Sequence, residues 1–289
     1  MVNAVKKGVI CLGLLGLATG CSTYDFGGMI AADSSVQDRF EYSVSMPDCE
    51  SHPAVIASSE ESYRFLVATD FHLEGQDDWD RLGRFLERAR SESFVAGVLL
   101  GDYMYEAGSS LERFRDSLCQ RPEVTYLTAI GNHEVYKEGY QHAYRPVFGA
   151  TCYAFRIESS GFSDLFIVLD SANGTLGIRQ YDWLESLLAG ERSQARHCFI
   201  CTHANFFSPA GYVDLISTYP VDEWMKLLDL FARYQVTAVF SGHSHVRDDT
   251  TLEGVRYVTV ASWCEKAREW AQVECLSDGS WQVDFRSAD

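Results

Sequence analysis

Five short polar clusters interrupt this chain, each directly after an apolar, strand-like run, and that repeated placement restricts the possible folds more than any other feature. The clusters are Asp70-Phe71-His72, Gly101-Asp102, Gly131-Asn132-His133-Glu134, His203 and Gly242-His243-Ser244-His245. They follow Phe65–Thr69, Val95–Leu100, Val124–Ile130, Cys198–Thr202 and Val236–Ser241. Short runs rich in Val, Ile, Leu and Phe, bounded by polar or glycine-containing loops, read as buried strands of a mainly parallel sheet. Ligands of open α/β sheets collect beyond the carboxyl ends of such strands. Five of the eight histidines fall in the clusters, so chance scattering is a poor account of them.

Helical patterns separate the strands. Trp79, Leu82, Phe85, Leu86 and Ala89 recur at helical spacing, as do Leu111, Phe114 and Leu118. Tyr181–Leu188 reads as a helix stopped by Gly190, and Trp224, Leu227, Leu228 and Phe231 after Pro220 give another apolar face. Cys152–Ile157 and Leu165–Leu169, joined across Gly161, read as paired strands. A hairpin is expected where Gln272–Leu276 and Trp281–Phe285 bracket Ser277-Asp278-Gly279-Ser280. Strand and helix alternate early and strands dominate late, which predicts an α/β fold of two sheets packed face to face with helices outside.

The first 20 residues carry Lys6 and Lys7, then the apolar stretch Gly8–Ala18, the layout of a bacterial secretory signal too short to span a membrane comfortably. Leu17-Ala18-Thr19-Gly20-Cys21 resembles a lipobox, in which the cysteine is acylated and becomes the mature N-terminus. The expected organisation is a lipoprotein signal over 1–20, a tether and lead-in over 21–60, and one catalytic domain over 61–289. Localisation would be the bacterial cell envelope, with Ser22 pointing to the outer membrane. Loss of Lys6 and Lys7, with no acid, takes the formal charge from −17 to −19. A chain this acidic does not wrap long nucleic acid through its phosphates, yet can hold a small anion where positive charge is concentrated. Seven cysteines remain beyond Cys21, namely Cys49, Cys119, Cys152, Cys198, Cys201, Cys264 and Cys275. Export permits disulfides, and an odd number leaves at least one thiol free or paired between chains. Cys198-Phe-Ile-Cys201 has redox spacing but lies inside an apparent strand, so buried structural thiols are expected.

The clusters offer carboxylates from Asp70 and Asp102, an amide oxygen from Asn132, and imidazoles from His72, His203, His243 and His245. Mixed oxygen and nitrogen donors without thiolate suit Zn, Mn, Fe or Co. Seven donors are too many for one ion and suit two, which in two-metal sites stand roughly 3.5 to 4 Å apart around a bridging group. Two divalent ions outweigh two carboxylates, and the surplus charge attracts a phosphate.

The order Asp-x-His, Gly-Asp, Gly-Asn-His-Glu, lone His, Gly-His-x-His resembles the calcineurin-like metallophosphoesterases, a group that includes purple acid phosphatases. The resemblance covers about residues 63–262. It implies a four-layer αββα sandwich and a ligand set in which Asp70, His72 and His245 hold one ion, Asn132, His203 and His243 the other, and Asp102 bridges them. It also implies that His133 is the catalytic histidine, beside the metals and not bound to them. Many members carry a second Asp three residues after the bridging one, where it orients the catalytic histidine; this chain has Tyr105 there. Purple acid phosphatases use a tyrosine at that place as an Fe(III) ligand, but lack the histidine present here as His72. Tyr105 is therefore either a ligand or a hydrogen-bond partner of the site, the second being the expectation.

The implied reaction is in-line hydrolysis of a phosphate ester by water that the ions make acidic, with Asn132 holding phosphoryl oxygen and His133 giving a proton to the leaving oxygen. A phosphomonoesterase acting on a small phosphorylated substrate is the leading reading. A phosphodiesterase for small nucleotides or lipid head groups is the runner-up. A ligand-binding envelope lipoprotein without catalysis is the reading from another class, and the complete donor set speaks against it. His52, His142 and His197 stand outside any motif and are expected to pack or face solvent. Residues near the clusters, among them Tyr136, Tyr140, Tyr144, Arg145, Asn205, Phe206, Phe207 and Arg247, are placed for substrate contact.

Overall fold

The structure, a computed structural model, describes residues 34–46, 52–105, 110–136, 139–207, 219–265 and 267–288. The expected signal, Cys21 and Cys49 lie outside the described residues. Among the described residues, no helix is long and apolar enough to cross a membrane.

The parallel strands β2 (Tyr63–Ala68), β3 (Ala96–Leu99) and β4 (Thr125–Thr128) form one side of a five-stranded sheet. It is completed by the antiparallel pair β11 (Glu269–Cys275) and β12 (Trp281–Ser287), in the order β12-β11-β2-β3-β4. The second sheet has seven strands in the order β1-β5-β6-β7-β8-β10-β9. They are β1 (Val55–Ala57), β5 (Tyr153–Ser159), β6 (Phe162–Val168), β7 (Cys198–Cys201), β8 (Ala238–Ser241), β9 (Asp248–Leu252) and β10 (Val255–Thr259). Its centre, β6 to β8 and β10, is parallel, whereas β5 and β9 are joined antiparallel to β6 and β10.

The apolar runs are continuous because each central strand is buried on both faces. In β2, Phe65 and Val67 enter the core between the sheets, while Leu66 and Ala68 meet the outer helices. In β7, Phe199 and Cys201 point inward and Cys198 and Ile200 outward. Phe65 is fully buried and its ring lies edge-on to Phe166 at 5.0 Å and to Phe240 at 6.0 Å, so it clamps the two sheets together. Truncating such a ring to alanine costs about 3–5 kcal/mol.

Helix α1 (Val36–Ser45) comes first, followed by α2 (Gln76–Ser91), α3 (Leu111–Cys119), α4 (Arg145–Phe148), α5 (Gly177–Glu191) and α6 (Val221–Arg233). Trp79, Leu82, Phe85 and Leu86 of α2 and Phe114 and Leu118 of α3 cover the five-stranded sheet. Leu184 and Leu188 of α5, Leu227, Leu230 and Phe231 of α6, and Phe40 of α1 cover the other. The result is the four-layer αββα sandwich that the resemblance implied.

Two local expectations need correction. Helix α5 runs through Gly190 to Glu191, because one glycine inside an otherwise well-packed helix costs only about 1 kcal/mol. The stretch read as a tether and lead-in over 21–60 contains folded elements from residue 36 onward. In α1, Arg39 is wholly buried and makes a bidentate pair with Asp170 at 2.7 Å, and β1 adds an edge to the seven-stranded sheet. Capping of α1 by Ser35 with Asp38 is a local signal for that helix. The hairpin of β9 and β10 was not anticipated, its first strand being too polar to stand out. The described cysteines are all free thiols. Cys198 and Cys201 cannot pair, since residues three apart on a strand face opposite sides.

Candidate metal centre

All five clusters meet at one place, beyond the carboxyl ends of β2, β3, β4, β7 and β8. The backbone turns sharply there, and Asp70, His72, Asp102, His243 and His245 all take the left-handed conformation, with φ of 54°, 42°, 55°, 69° and 60°. Non-glycine residues pay for that conformation in strain, which Asp and His tolerate better than branched side chains. Two motif glycines are fixed by space. A Cβ on Gly131 would stand 2.2 Å from Asp102 Oδ1, and one on Gly242 would stand 2.0 Å from Thr69 Oγ1.

The side chains form a continuous chain of close approaches. His72 Nε2 lies 3.1 Å from His245 Nε2, and Asp70 Oδ1 lies 3.4 Å from His245 Nε2 and 3.8 Å from His72 Nε2. Asp102 Oδ2 lies 3.7 Å from His72 Nε2 and 3.4 Å from His203 Nε2. His203 Nε2 is also 2.8 Å from Asn132 Oδ1 and 3.2 Å from His243 Nδ1. Donor atoms of Asp70, His72 and His245, of Asp102, His203 and His243, and of His72, Asp102 and His133 form three groups that could each hold an ion. Asp102 belongs to two of them.

The donor chemistry fits cations. His203 Nδ1 faces the carbonyl oxygen of Leu100 at 2.8 Å and must donate to it, so neutral His203 presents a lone pair at Nε2. Asn132 Nδ2 donates to Tyr136 Oη at 2.6 Å, which turns Oδ1 toward that same nitrogen. Two lone pairs 2.8 Å apart repel unless a proton or a metal ion stands between them. Asp70 Oδ1 is buried without a hydrogen-bond partner, a second position that a cation would satisfy.

Electrostatics of the metal-free cluster point the same way. Burial works against charge on His203, but Asp102 and Asp70 override it and raise its pKa to about 9. Burial likewise opposes charge on His245, and Asp70 and Glu265 raise it to about 11. On His72 burial prevails and lowers the pKa to about 4. The carboxyls of Asp70 and Asp102 are held below the usual range by the imidazoles around them, against the effect of burial. The cluster thus keeps its anions charged and recruits protons where no metal is bound.

Several supporting groups have no clear signal in sequence. Glu134 accepts N–H bonds from Gly131, Asp102 and Tyr103 at 2.8 to 2.9 Å, locking the second and third clusters together; burial and Asp102 push its carboxyl up to about 7. Its place in the third motif is the only hint that it matters. Ser171 Oγ accepts from Thr202 Oγ1 at 2.7 Å and from Ala204 N at 2.9 Å, bracketing His203. Glu265 Oε1 lies 3.1 Å from His245 Nδ1, an ion-pair distance without hydrogen-bond alignment.

His133 stands at the edge of the cluster, Nε2 3.9 Å from Asp102 Oδ2, with its N–H donating to Asp102 Oδ1 at 2.9 Å. Its Nδ1 lies 3.0 Å from the carbonyl oxygen of Tyr105, which makes Nδ1 the donor and leaves Nε2 facing the site. Tyr105 therefore supports the site through its main chain, and the expected hydroxyl hydrogen bond is not formed among the described residues. Its ring is 52% exposed, with the centroid 6.5 Å from that of His72 and 6.3 Å from that of His133. Of the flanking residues expected to contact substrate, Tyr136 reaches the site. Tyr140, Tyr144 and Phe206 are buried core, Arg145 stacks on Tyr42, and Arg247 pairs with Glu269. His197 is buried, and so is His52, which packs on Tyr153 with ring centroids 4.0 Å apart.

Comparison with known proteins gives the class. Residues 63–247 match the calcineurin-like phosphoesterase family, and the chain belongs to that family. It is a metallophosphoesterase, a hydrolase of phosphoester bonds. The fold is similar to that of a dimetal phosphatase from Danio rerio, with a TM-score of 0.60 and 14% identity over 78% of this chain and 96% of that one. A purple acid phosphatase from yellow lupin (Lupinus luteus) seeds gives a TM-score of 0.62 at 18% identity, covering 80% of this chain and 52% of that chain. GAP50, the anchor in the inner membrane complex of Plasmodium, gives 0.58 at 13% identity over 79% and 85%. At these identities the likenesses speak for the fold. No curated protein matches the chain closely in sequence.

Proposed function

We propose that this metallophosphoesterase is a phosphomonoesterase that works with two metal ions at the carboxyl ends of its strands. The observation that carries the reading is the arrangement of donors in two separate groups, Asp70, His72 and His245 and Asp102, His203 and His243, with Asp102 Oδ2 between them, 3.7 Å from His72 Nε2 and 3.4 Å from His203 Nε2. Asp70, His72 and His245 would hold one ion, Asn132, His203 and His243 the other, and Asp102 both. Zn, Mn, Fe or Co suits this donor set. When bound, the ions supply an acidified water and positive charge for the phosphoryl oxygens.

The chain's own residues do the rest. Asn132, held by Tyr136, presents its amide to a phosphoryl oxygen. His133 carries its fixed proton on Nδ1, toward Tyr105 O, so a second proton on Nε2 faces the reacting ester and passes to the leaving oxygen. The buried surroundings of Asp102 and Asn132 keep bulk water out of the inner part of the site. Export and acylation at Cys21 would place this activity in the bacterial cell envelope, on a tether facing the periplasm or the cell surface.

The test is a panel of mono- and diesters offered to metal-reconstituted protein, with metal content measured on the same sample. Monoester turnover with two ions per chain is expected. Inertness toward every ester with two ions bound would favour a ligand-binding role, and faster turnover of diesters would move the assignment to a phosphodiesterase. Mass spectrometry of the N-terminal peptide from membranes, with Cys21→Ala as control, tests the anchor separately.

A further inference from the structure

We propose that the exposed ring of Tyr105 is the surface on which the leaving group of the substrate packs, so that the site selects monoesters whose leaving alcohol carries a flat aromatic group, such as the base-bearing sugar of a nucleoside monophosphate. The proposal rests on the phosphomonoesterase reading and deepens it.

Among the described residues Tyr105 is the single exposed side chain of the Phe, Tyr and Trp set; the others are at least partly buried. Its position follows from the proton donor. The leaving oxygen must meet His133 Nε2, because Nδ1 is engaged by Tyr105 O at 3.0 Å. The leaving group therefore departs on the side of His133. Two tyrosine rings flank that imidazole, Tyr136 at 5.1 Å and Tyr105 at 6.3 Å between centroids. Tyr136 is only 4% exposed, and its hydroxyl accepts from Asn132, so it belongs to the wall of the site. Tyr105, 52% exposed, is the flat apolar face left beside the donor. Beside His245 stands Glu265, 3.1 Å from its Nδ1, and that carboxylate disfavours anionic groups there. A planar base stacking on the tyrosine ring gains binding without any base-specific hydrogen bond, about tenfold for a single stacked base.

The deciding comparison is adenosine 5′-monophosphate against ribose 5-phosphate, which share the phosphorylated carbon and differ in the base. Metal-reconstituted full chain is expected to prefer the nucleotide about tenfold in kcat/KM. Tyr105→Phe, which keeps the flat ring, should keep the ratio. Tyr105→Leu and Tyr105→Ala should bring it near one, with metal content and melting temperature measured to show an intact site. A ratio near one in the parent protein, or a tenfold ratio that survives in both aliphatic variants, overturns the proposal. Should neither ester be turned over, the monoesterase reading falls, and the ratio of the two dissociation constants by calorimetry on the same metal-loaded proteins decides the stacking surface by the same criterion.

Discussion

The two halves of the metal centre are built to different standards. Asn132, His203 and His243 form the inner half, each at most 7% exposed, and the positions of two of them are set from outside the cluster. Leu100 O orients His203, Tyr136 orients Asn132, and Ser171 holds the chain on both sides of His203. The outer half, Asp70, His72 and His245, has no such support for its imidazoles. His72 Nδ1 has no hydrogen-bond partner among the described residues, and His245 Nδ1 meets only the half-exposed carboxylate of Glu265. A ligand whose other ring nitrogen is held keeps its geometry without the ion; one that is not held relies on the ion for it. The inner half is prepared for metal, and the outer half is completed by it.

The largest effect expected is for Asp102→Ala, which removes the group shared by both halves: both ions should be lost by elemental analysis, and activity with them. Retention of one ion in the inner half would show that the halves are more independent than their shared carboxylate implies. His133→Ala comes next, with turnover falling about 10² to 10⁴-fold while two ions stay bound. Loss of metal in that variant would place His133 among the ligands instead. Stepwise chelation of the native protein should then remove the outer ion first, with an intermediate of one ion per chain by native mass spectrometry. Simultaneous departure would break the contrast.

Smaller effects refine it. In metal-free protein His203 holds its proton up to about 9 and His245 up to about 11, so near neutral pH each half must release a proton to bind metal. Metal and proton compete for the same nitrogen, so affinity rises with pH, about tenfold per unit for each proton released, and levels off above the raised pKa of the half concerned. Isothermal calorimetry in buffers of different ionisation enthalpy counts those protons; binding independent of buffer would refute the coupling. Finally, Glu265→Gln should weaken the outer ion alone, by about 10-fold or more. An equal loss in the inner half would mean that the two are mechanically joined.

What the sequence disclosed follows the same division. Strands such as β2 and β7 are buried on both faces, so their composition announced them, and the residues that leave their carboxyl ends were legible as a donor set. Supporting groups were not. Leu100 and Tyr105 act through carbonyl oxygens that any residue would supply, and Ser171 and Glu265 lie far along the chain from the histidines they serve. Tyr105 drew attention as a departure from an expected carboxylate, and the main chain at that same residue holds the imidazole the carboxylate would have held. Helix α1 was hidden for a different reason: Ser, Asp and Glu around it resemble a linker, and its one decisive residue, Arg39, looks like a surface arginine until Asp170 is placed against it.

That pair also sets the smallest piece of the chain that can stand alone. Asp170 is fully buried beside Ser171, and Arg39 is the cation that neutralises it. A fragment starting at residue 61 would keep every metal ligand and still contain an uncompensated buried anion, a defect worth about 3–5 kcal/mol when one partner of such a pair is removed. The folded unit therefore begins no later than the helix carrying Arg39.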